Sequence, residues 1–192
     1  PLDRWAIFLT NQGTDDHIIH NPRELVPNQS YLLHGKVSSK TKHIEGGHVF
    51  FDMDTGLGEV TCGAYEPSKE FRYMVDWLCK GDEVEVIGEL RDDPRTLNIE
   101  KIHVISVVEE YRKVSNPICP ICSRTMKSTG SGKKFKCKKC GTKSYTPVML
   151  PVRRQVVPGW YEPPTAARRH LSKPLKRMGL TQPVEFVNGR SQ

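Results

Sequence analysis

The run Tyr31-Leu32-Leu33-His34-Gly35-Lys36-Val37 has the clearest secondary-structure pattern of the chain, because its residue types alternate. Tyr31, Leu33 and Val37 share one phase of this run, and polar residues occupy most of the other. A period of two places successive side chains on opposite faces of a β-strand. We therefore predict a strand with one face on a core and the other in solvent.

Further elements follow on the C-terminal side of this run. One helix is predicted from Pro67, a residue preferred in the first turn, to Gly81, which ends it. Its apolar residues recur at helical spacing. A change of phase in the last strand, near Glu100-Lys101, predicts a β-bulge. The predicted strands after the first are 48–53, 59–64, 83–86 and 97–104, and the apolar helix face is Phe71, Met74, Val75 and Leu78.

Residues 26–111 thus contain three strands, one helix and two strands. This order is typical of the OB-fold, a five-stranded barrel whose surface binds oligonucleotides. Other small β-barrels give a similar order, and a fold alone does not give a function. The predicted fold class is mainly β, with the barrel and its one helix followed by a zinc ribbon and an extended basic C-terminal tail.

Three other segments flank or follow the barrel. Residues 1–25 hold a strand-like run, Trp5–Leu9, and a polar loop, 10–16. This segment is too short for a core of its own, so it either docks on the barrel or is the terminal piece of a preceding domain. Residues 112–150 contain the paired cysteines. Residues 151–192 form a basic, proline-rich tail, which we expect to lie over other surfaces and to be anchored by Trp160 and Tyr161.

Four cysteines lie in two CxxC pairs, Cys119/Cys122 and Cys137/Cys140. Two residues between thiols let one tight turn present both sulfurs to a metal, and two such turns complete a tetrahedron. Four protein ligands leave no open position, so a bound zinc ion is structural. Two disulfides or an iron–sulfur cluster are the alternatives for the same residues. Cys62 and Cys79 are interpreted as core thiols.

The charge of the chain is strongly asymmetric. Its net charge is +7, but residues 1–111 carry 11 Lys/Arg against 20 Asp/Glu, whereas residues 112–150 carry 10 Lys/Arg and no acid. Residues 151–192 add 8 Lys/Arg against 2 Glu. A basic segment of this kind favours a polyanion as partner, although a solvated surface that keeps the protein soluble is the simpler alternative.

Candidate nucleic-acid contacts lie in three groups. Lysines supply phosphate contacts, arginines grip phosphates or stack on bases, and an exposed aromatic on the barrel can stack on a base. An ordinary packed aromatic or a solvated lysine is the alternative at each barrel position. The candidates are Lys36, Lys40, His48 and Phe50 on the barrel, Lys133, Lys134, Lys136, Lys138 and Lys139 in the ribbon, and Arg168, Arg169, Lys173, Lys176 and Arg177 in the tail.

Signs of catalysis are few. The chain contains no phosphate-cradling GxxxxGK[ST] loop, no GxSxG and no HExxH. One loop resembles a small-molecule site, since its carboxylates suit a cation; its candidate residues are Asn11, Gln12, Thr14 and Asp15. A solvated turn is the alternative. No apolar stretch approaches the ~20 residues of a spanning helix, and no signal peptide is recognised, so we expect a cytoplasmic protein.

The loop Phe8-Leu9-Thr10-Asn11-Gln12-Gly13-Thr14-Asp15, the OB-like region, the CxxC pairs and the run Ala167-Arg168-Arg169-His170-Leu171-Ser172-Lys173-Pro174-Leu175 occur in this order. Together they resemble the C-terminal part of the archaeal tRNA(Ile) 2-agmatinylcytidine synthetases, over nearly the whole chain. That family uses ATP to attach agmatine to the wobble cytidine of an isoleucine tRNA, which then reads AUA codons.

The resemblance implies that tRNA binding and catalysis lie in different domains. The family combines a kinase-like catalytic domain, a ferredoxin-like domain, an OB-fold and a zinc ribbon. It implies that this chain is the tRNA-binding part, that residues 1–16 end the ferredoxin-like domain, and that catalysis with ATP and agmatine needs the N-terminal domains absent here. The loop at 10–15 is expected near the agmatine or nucleotide site. The alternative function is a free-standing OB/zinc-ribbon protein that binds single-stranded nucleic acid.

Overall fold

The computed structural model describes residues 4–130 and 134–183. Contacts divide the chain into two compact units, of which one contains the residues up to Val108 and those from Arg154 onward, and the other is Glu109–Arg153. The strands are β1 (Ile18–Ile19), β2 (Ser30–Val37), β3 (Lys42–Ile44), β4 (His48–Thr55), β5 (Gly58–Ala64), β6 (Glu83–Leu90), β7 (Leu97–Ser106), β8 (Tyr111–Ser115), β9 (Lys127–Ser128), β10 (Phe135–Lys136), β11 (Lys143–Ser144), β12 (Val148–Pro151) and β13 (Gly159–Tyr161).

Strands β2, β4, β5, β6 and β7 close into a barrel. β2 pairs antiparallel with both β4 and β6, and β6 pairs antiparallel with β7. β5 completes the ring, antiparallel to β4 and parallel to β7. This closed ring, with one helix between β5 and β6, confirms the predicted OB-fold.

The barrel core contains the side chains that the alternating pattern predicted to be buried. Tyr31, Leu33 and Val37 are at most 3% exposed, whereas Lys36 between them is exposed. The predicted helix face is likewise buried. The helix itself is shorter than predicted: a 3-10 turn, Glu66–Ser68, precedes α1 (Phe71–Asp76). Lys69, with φ +51 and ψ −123, interrupts the helix between these two pieces, and no sequence signal marks that break.

The predicted bulge lies in β7. Ile87 pairs with Lys101 and Gly88 pairs with Ile99, so Glu100 is the additional residue. A bulge lets two successive side chains depart from strict alternation. Both Glu100 and Lys101 are consequently buried, at 7% and 0% exposure.

Residues 155–183 pack on the barrel unit. β13 adds to the edge of β7 in an antiparallel pairing, with Trp160 opposite His103. The Trp160 ring stacks on the His103 ring at a centroid distance of 4.7 Å, and Tyr161 is fully buried in the barrel core. Two 3-10 turns, Thr165–Ala167 and Leu175–Met178, follow. The described part of the tail thus lies over the barrel, with Trp160 and Tyr161 in contact with it. The predicted boundary at 151 stays a prediction, and the residues from 184 onward lie outside the described part.

The second unit is built from short strands. β8 pairs with β12, and β10 pairs with both β9 and β11. Its buried cluster is small and consists of Cys119, Met126, Phe135 and Cys137. Among the described residues of both units, no helix has the length and apolar character needed to cross a membrane.

Candidate zinc centre and nucleic-acid interface

The four ribbon cysteines converge on one point. All four Sγ atoms lie within 4.8 Å of one another. Cys122 Sγ lies 3.6 Å from Cys119, 3.4 Å from Cys137 and 3.3 Å from Cys140, and the Cys119–Cys140 distance is 3.4 Å. The two CxxC pairs are thus brought together as their spacing predicted.

Equivalent backbone turns present the two pairs of thiols. Ser123 N donates to Cys119 O at 2.9 Å, and Gly141 N donates to Cys137 O at 3.0 Å. The residue after each pair adopts a left-handed conformation, with φ +52 at Ser123 and +76 at Gly141. Glycine adopts this conformation without steric cost, as at Gly141. Ser123 adopts the same conformation at the equivalent position of the first turn.

The donor set fits zinc. A tetrahedral ion with Zn–S bonds of about 2.3 Å places its sulfurs about 3.8 Å apart, close to the separations found here. Disulfide bonds need about 2.05 Å between sulfurs, whereas the sulfurs of these four cysteines lie 3.3 to 3.6 Å apart. Cys119, Cys122, Cys137 and Cys140 would hold the ion, which supplies cross-links between the two turns and stabilises the fold.

Local hydrogen bonds prepare two of these thiols to bind a cation. The Thr142 hydroxyl lies 3.1 Å from Cys140 Sγ. Hydrogen bonds from this hydroxyl and from the Thr142 backbone N–H together lower the pKa of Cys140 to about 6. Backbone N–H groups of Cys140 and Lys139 lower the pKa of Cys137. Zinc binds the thiolate form, so these two shifts favour metal binding. Contacts with the neighbouring thiols, first of all Cys140, raise the pKa of Cys122 to about 12, so Cys122 loses its proton only when the metal binds.

The ribbon displays its lysines to solvent. Lys134, Lys136, Lys138 and Lys139 are exposed, and within residues 4–130 and 134–183 none of them forms an ion pair. The predicted contact Lys133 lies outside the described residues. Phe135 is 4% exposed, with Lys113 Nζ 4.9 Å from its ring centre, so this aromatic belongs to the core. The exposed face of the ribbon is therefore cationic and suited to phosphate.

The barrel candidates divide into exposed lysines and packed rings. Lys36 and Lys40 are exposed. Phe50 is 8% exposed and meets the ring of Tyr65 edge-on at 5.5 Å. His48 is half-buried, and its Nδ1 accepts a hydrogen bond from Glu66 N at 2.9 Å. Neither ring is free to stack on a base in this conformation, and their part in binding nucleic acid stays a prediction.

Carboxylates engage two of the tail arginines. Arg168 Nη2 donates to Glu162 Oε1 at 2.9 Å, and Arg169 Nη1 donates to Glu100 Oε1 at 3.0 Å. Glu100 thereby joins the bulge of β7 to the tail. Lys173 is half-buried, whereas Lys176 and Arg177 are exposed. The arginine pair therefore has a structural role in addition to any contact with nucleic acid.

The loop at 10–15 lies directly against the tail. Gly13 N donates to His170 O at 2.8 Å, and Asp15 N donates to Leu171 O at 3.1 Å. The Asp15 carboxylate accepts from Lys101 Nζ at 2.6 and 2.8 Å and from Lys173 N at 2.6 Å. Asp15 thus neutralises a buried lysine, and a role in binding a cationic substrate stays a prediction for it.

Lys101 is the residue that sequence reasoning missed at this place. The sequence analysis named Lys101 only as part of the predicted β-bulge. A lysine in the inward phase of a core strand nevertheless indicates a buried carboxylate partner. Its ammonium group also donates to Lys173 O at 2.8 Å. Thr14 has a local role, since its hydroxyl donates to Asn11 O at 2.7 Å.

A cavity of about 410 Å³ lies between the loop and the tail. Residues of the loop at 10–15 and of the run 167–175, two of the segments that carry the sequence resemblance, line this cavity together although they are far apart in the chain. Gln12 is among the loop residues around it, and its Nε2 lies 3.5 Å from His170 Nδ1. The lining residues are Thr10, Gln12, Gly13, Thr14, Thr165, Arg168, Arg169, His170, Ser172, Pro174 and Arg177.

Comparison with known families gives two matches. Residues 31–105 match a family described as an OB-fold nucleic acid binding domain. Residues 116–156 match a family described as the TiaS C-terminal zinc ribbon domain. These matches coincide with the barrel and with the unit that holds the cysteine cluster.

Curated relatives and solved structures extend the likeness to nearly the whole chain. The isoleucine-tRNA 2-agmatinylcytidine synthetase TiaS of Archaeoglobus fulgidus is 48% identical over 94% of this chain, and that of Methanosarcina mazei is 46% identical over 92%. A structure described as a complex of TiaS with its isoleucine tRNA and ATP is 45% identical over 98% of this chain, with a TM-score of 0.77. This chain covers 43% of that solved chain, and it spans 43% and 41% of the length of the two curated relatives.

Proposed function

Because the chain corresponds over nearly its whole length to the C-terminal part of the tRNA(Ile) 2-agmatinylcytidine synthetases, we propose that it is the tRNA-binding part of such a ligase. The whole ligase would use ATP to attach agmatine to the wobble cytidine of an AUA-decoding isoleucine tRNA in the cytoplasm. The observation that carries the proposal is the 45% identity over 98% of the chain to a protein solved with its isoleucine tRNA and ATP.

The geometry supports RNA binding by the ribbon. Residues 112–150 contain ten basic residues and no acid, and four ribbon lysines that the structure describes are exposed without ionic partners. A zinc ion would hold the turn that contains Lys138 and Lys139 against the turn of Cys119 and Cys122, and would thereby restrict the shape of the cationic surface. A rigid cationic surface gains more from phosphate contacts, because fewer side-chain conformations are lost on binding.

One feature of the barrel is evidence against single-strand binding. Sequence-independent single-strand binders stack successive bases on exposed aromatic side chains. Phe50, the aromatic selected for this role, is 8% exposed and packs against Tyr65. A free-standing single-strand-binding protein is therefore the less favoured alternative.

Competition binding separates the two functions. A labelled transcript of the AUA-decoding isoleucine tRNA is bound to the zinc-loaded chain and displaced either by the same tRNA without label or by an unstructured RNA of equal length. We expect the tRNA to compete at least about ten times better, a difference of about 1.4 kcal/mol in binding free energy. Equal competition by both RNAs would contradict the tRNA function and favour the single-strand binder.

A further inference from the structure

The cavity between the 10–15 loop and the tail has the composition of an anion site. Its 11 lining residues include three arginines and one histidine and no carboxylate. Hydroxyl and amide groups of Thr10, Gln12, Thr14, Thr165 and Ser172 complete the polar lining. Arginine recognises phosphate by paired N–H donors, and hydroxyl groups add further donors.

Two residues that line this cavity each carry a buried donor without a partner in the described residues. Ser172 is 2% exposed, and its Oγ makes no hydrogen bond within the described residues. Arg168 Nε is also buried and unpartnered there, although Arg168 Nη2 binds Glu162. A buried polar group without a partner loses its hydration and gains nothing in return, so such groups typically mark a place where a ligand or water accepts the hydrogen bond.

Arg177 supplies a charge that no carboxylate of the described residues neutralises. Ion pairs are found for Arg168 and Arg169, but none for Arg177 in the part of the chain that the structure describes. Its guanidinium lies over Gly13, where a Cβ atom would come within 2.8 Å of Nη1. The absence of a side chain at Gly13 therefore permits the guanidinium to lie beside the cavity.

The size and the donors together indicate the ligand. A volume of about 410 Å³ falls in the range of small-molecule sites and exceeds what a bare phosphate ion needs. We infer that this cavity binds the phosphate group of one nucleotide, with Arg177, Arg168 Nε and Ser172 Oγ as donors. This inference deepens the proposed function and rests on it for the source of the nucleotide, which is either the tRNA backbone or a free nucleotide.

The test uses matched variants of the full chain. Arg177→Gln removes the unpaired charge, and Ser172→Ala removes the unpartnered hydroxyl without any change of charge. Lys80→Gln is the control, since Lys80 is exposed, carries the same charge as Arg177 and does not line the cavity. AMP binding by calorimetry and binding of the isoleucine tRNA by gel shift form the two arms.

In at least one arm, Arg177→Gln should weaken binding about tenfold and Ser172→Ala about fivefold, while Lys80→Gln changes it less than about twofold. A loss confined to the tRNA arm identifies a backbone phosphate, and a loss in the AMP arm identifies a free nucleotide. Thermal unfolding checks the fold, because removal of an unpartnered hydroxyl should not lower stability.

Two outcomes separate this inference from the proposed function. Intact tRNA binding by Arg177→Gln and Ser172→Ala, with no AMP binding by the unmodified chain, would overturn the phosphate site alone. AMP binding that depends on both residues, in a chain that does not bind tRNA, would support the phosphate site and contradict the tRNA function.

Discussion

The Asp82 carboxylate accepts hydrogen bonds from the Arg154 guanidinium at 2.9–3.1 Å, and the two side chains are 0% and 5% exposed. The same carboxylate accepts from Val108 N at 2.9 Å and from Cys79 N at 2.9 Å. Val108 and Arg154 are the residues at which the chain leaves and re-enters the barrel unit. One buried carboxylate thus binds the two residues of the barrel unit that directly precede and follow the ribbon segment.

Loss of this carboxylate should destabilise the barrel unit strongly. Asp82→Ala leaves the Arg154 charge buried and two backbone N–H groups unpaired, so we expect a loss of about 3–5 kcal/mol. Urea unfolding followed by tryptophan fluorescence measures it. Lys69→Gln, which breaks the exposed Lys69–Glu66 pair at 3.4 Å, is the control, with an expected change below about 1 kcal/mol. Equal effects of both variants would contradict a structural role for Asp82.

The Asp15–Lys101 pair predicts a second stability effect. Asp15→Asn leaves the fully buried Lys101 ammonium without its counter-charge, and breaking one side of a buried pair costs about 3–5 kcal/mol. The double variant Asp15→Asn, Lys101→Met should recover much of the loss, because no buried charge remains. A thermal-unfolding double-mutant cycle measures the coupling. Additive single effects would show that the two residues do not interact.

Zinc removal should unfold the ribbon and leave the barrel intact. The buried cluster of Cys119, Met126, Phe135 and Cys137 is too small to stabilise the ribbon alone, so metal binding supplies most of its folding free energy. We expect one zinc per chain, and loss of hydrogen-exchange protection in residues 117–144 after chelation or in Cys137→Ser. Unchanged protection after complete metal removal would contradict a structural zinc.

Ribbon lysines should determine much of the salt dependence of tRNA binding. Each phosphate contact contributes roughly 0.7–0.9 to the slope of log affinity against log salt. Lys138→Gln with Lys139→Gln should therefore reduce that slope by up to about 1.8. The control Lys69→Gln with Lys80→Gln removes equal charge from the barrel helix region. Equal slopes for both double variants would exclude the ribbon lysines from the contact.

Sequence reasoning predicted the features that depend on neighbours in the chain. Alternation in β2 and β7 gave the barrel and the bulge at Glu100, and the CxxC spacing gave the thiol cluster. It missed the Asp15–Lys101 and Asp82–Arg154 pairs, whose partners are 86 and 72 positions apart. No local pattern encodes such a pairing, because it arises only when the barrel closes. For Phe50 the sequence left a packed ring and a base-stacking ring open, because the contact with Tyr65 forms only in the folded chain.

Hydroxyl-radical footprinting shows whether the zinc-loaded chain holds the folded, AUA-decoding isoleucine tRNA at defined places. We expect discrete protected backbone stretches on the folded tRNA, and the loss of one stretch when Lys138 and Lys139 are both changed to Gln. Uniform weak protection, or protection equal to that of an unstructured RNA, would contradict the claim that this chain binds an isoleucine tRNA through its ribbon and barrel.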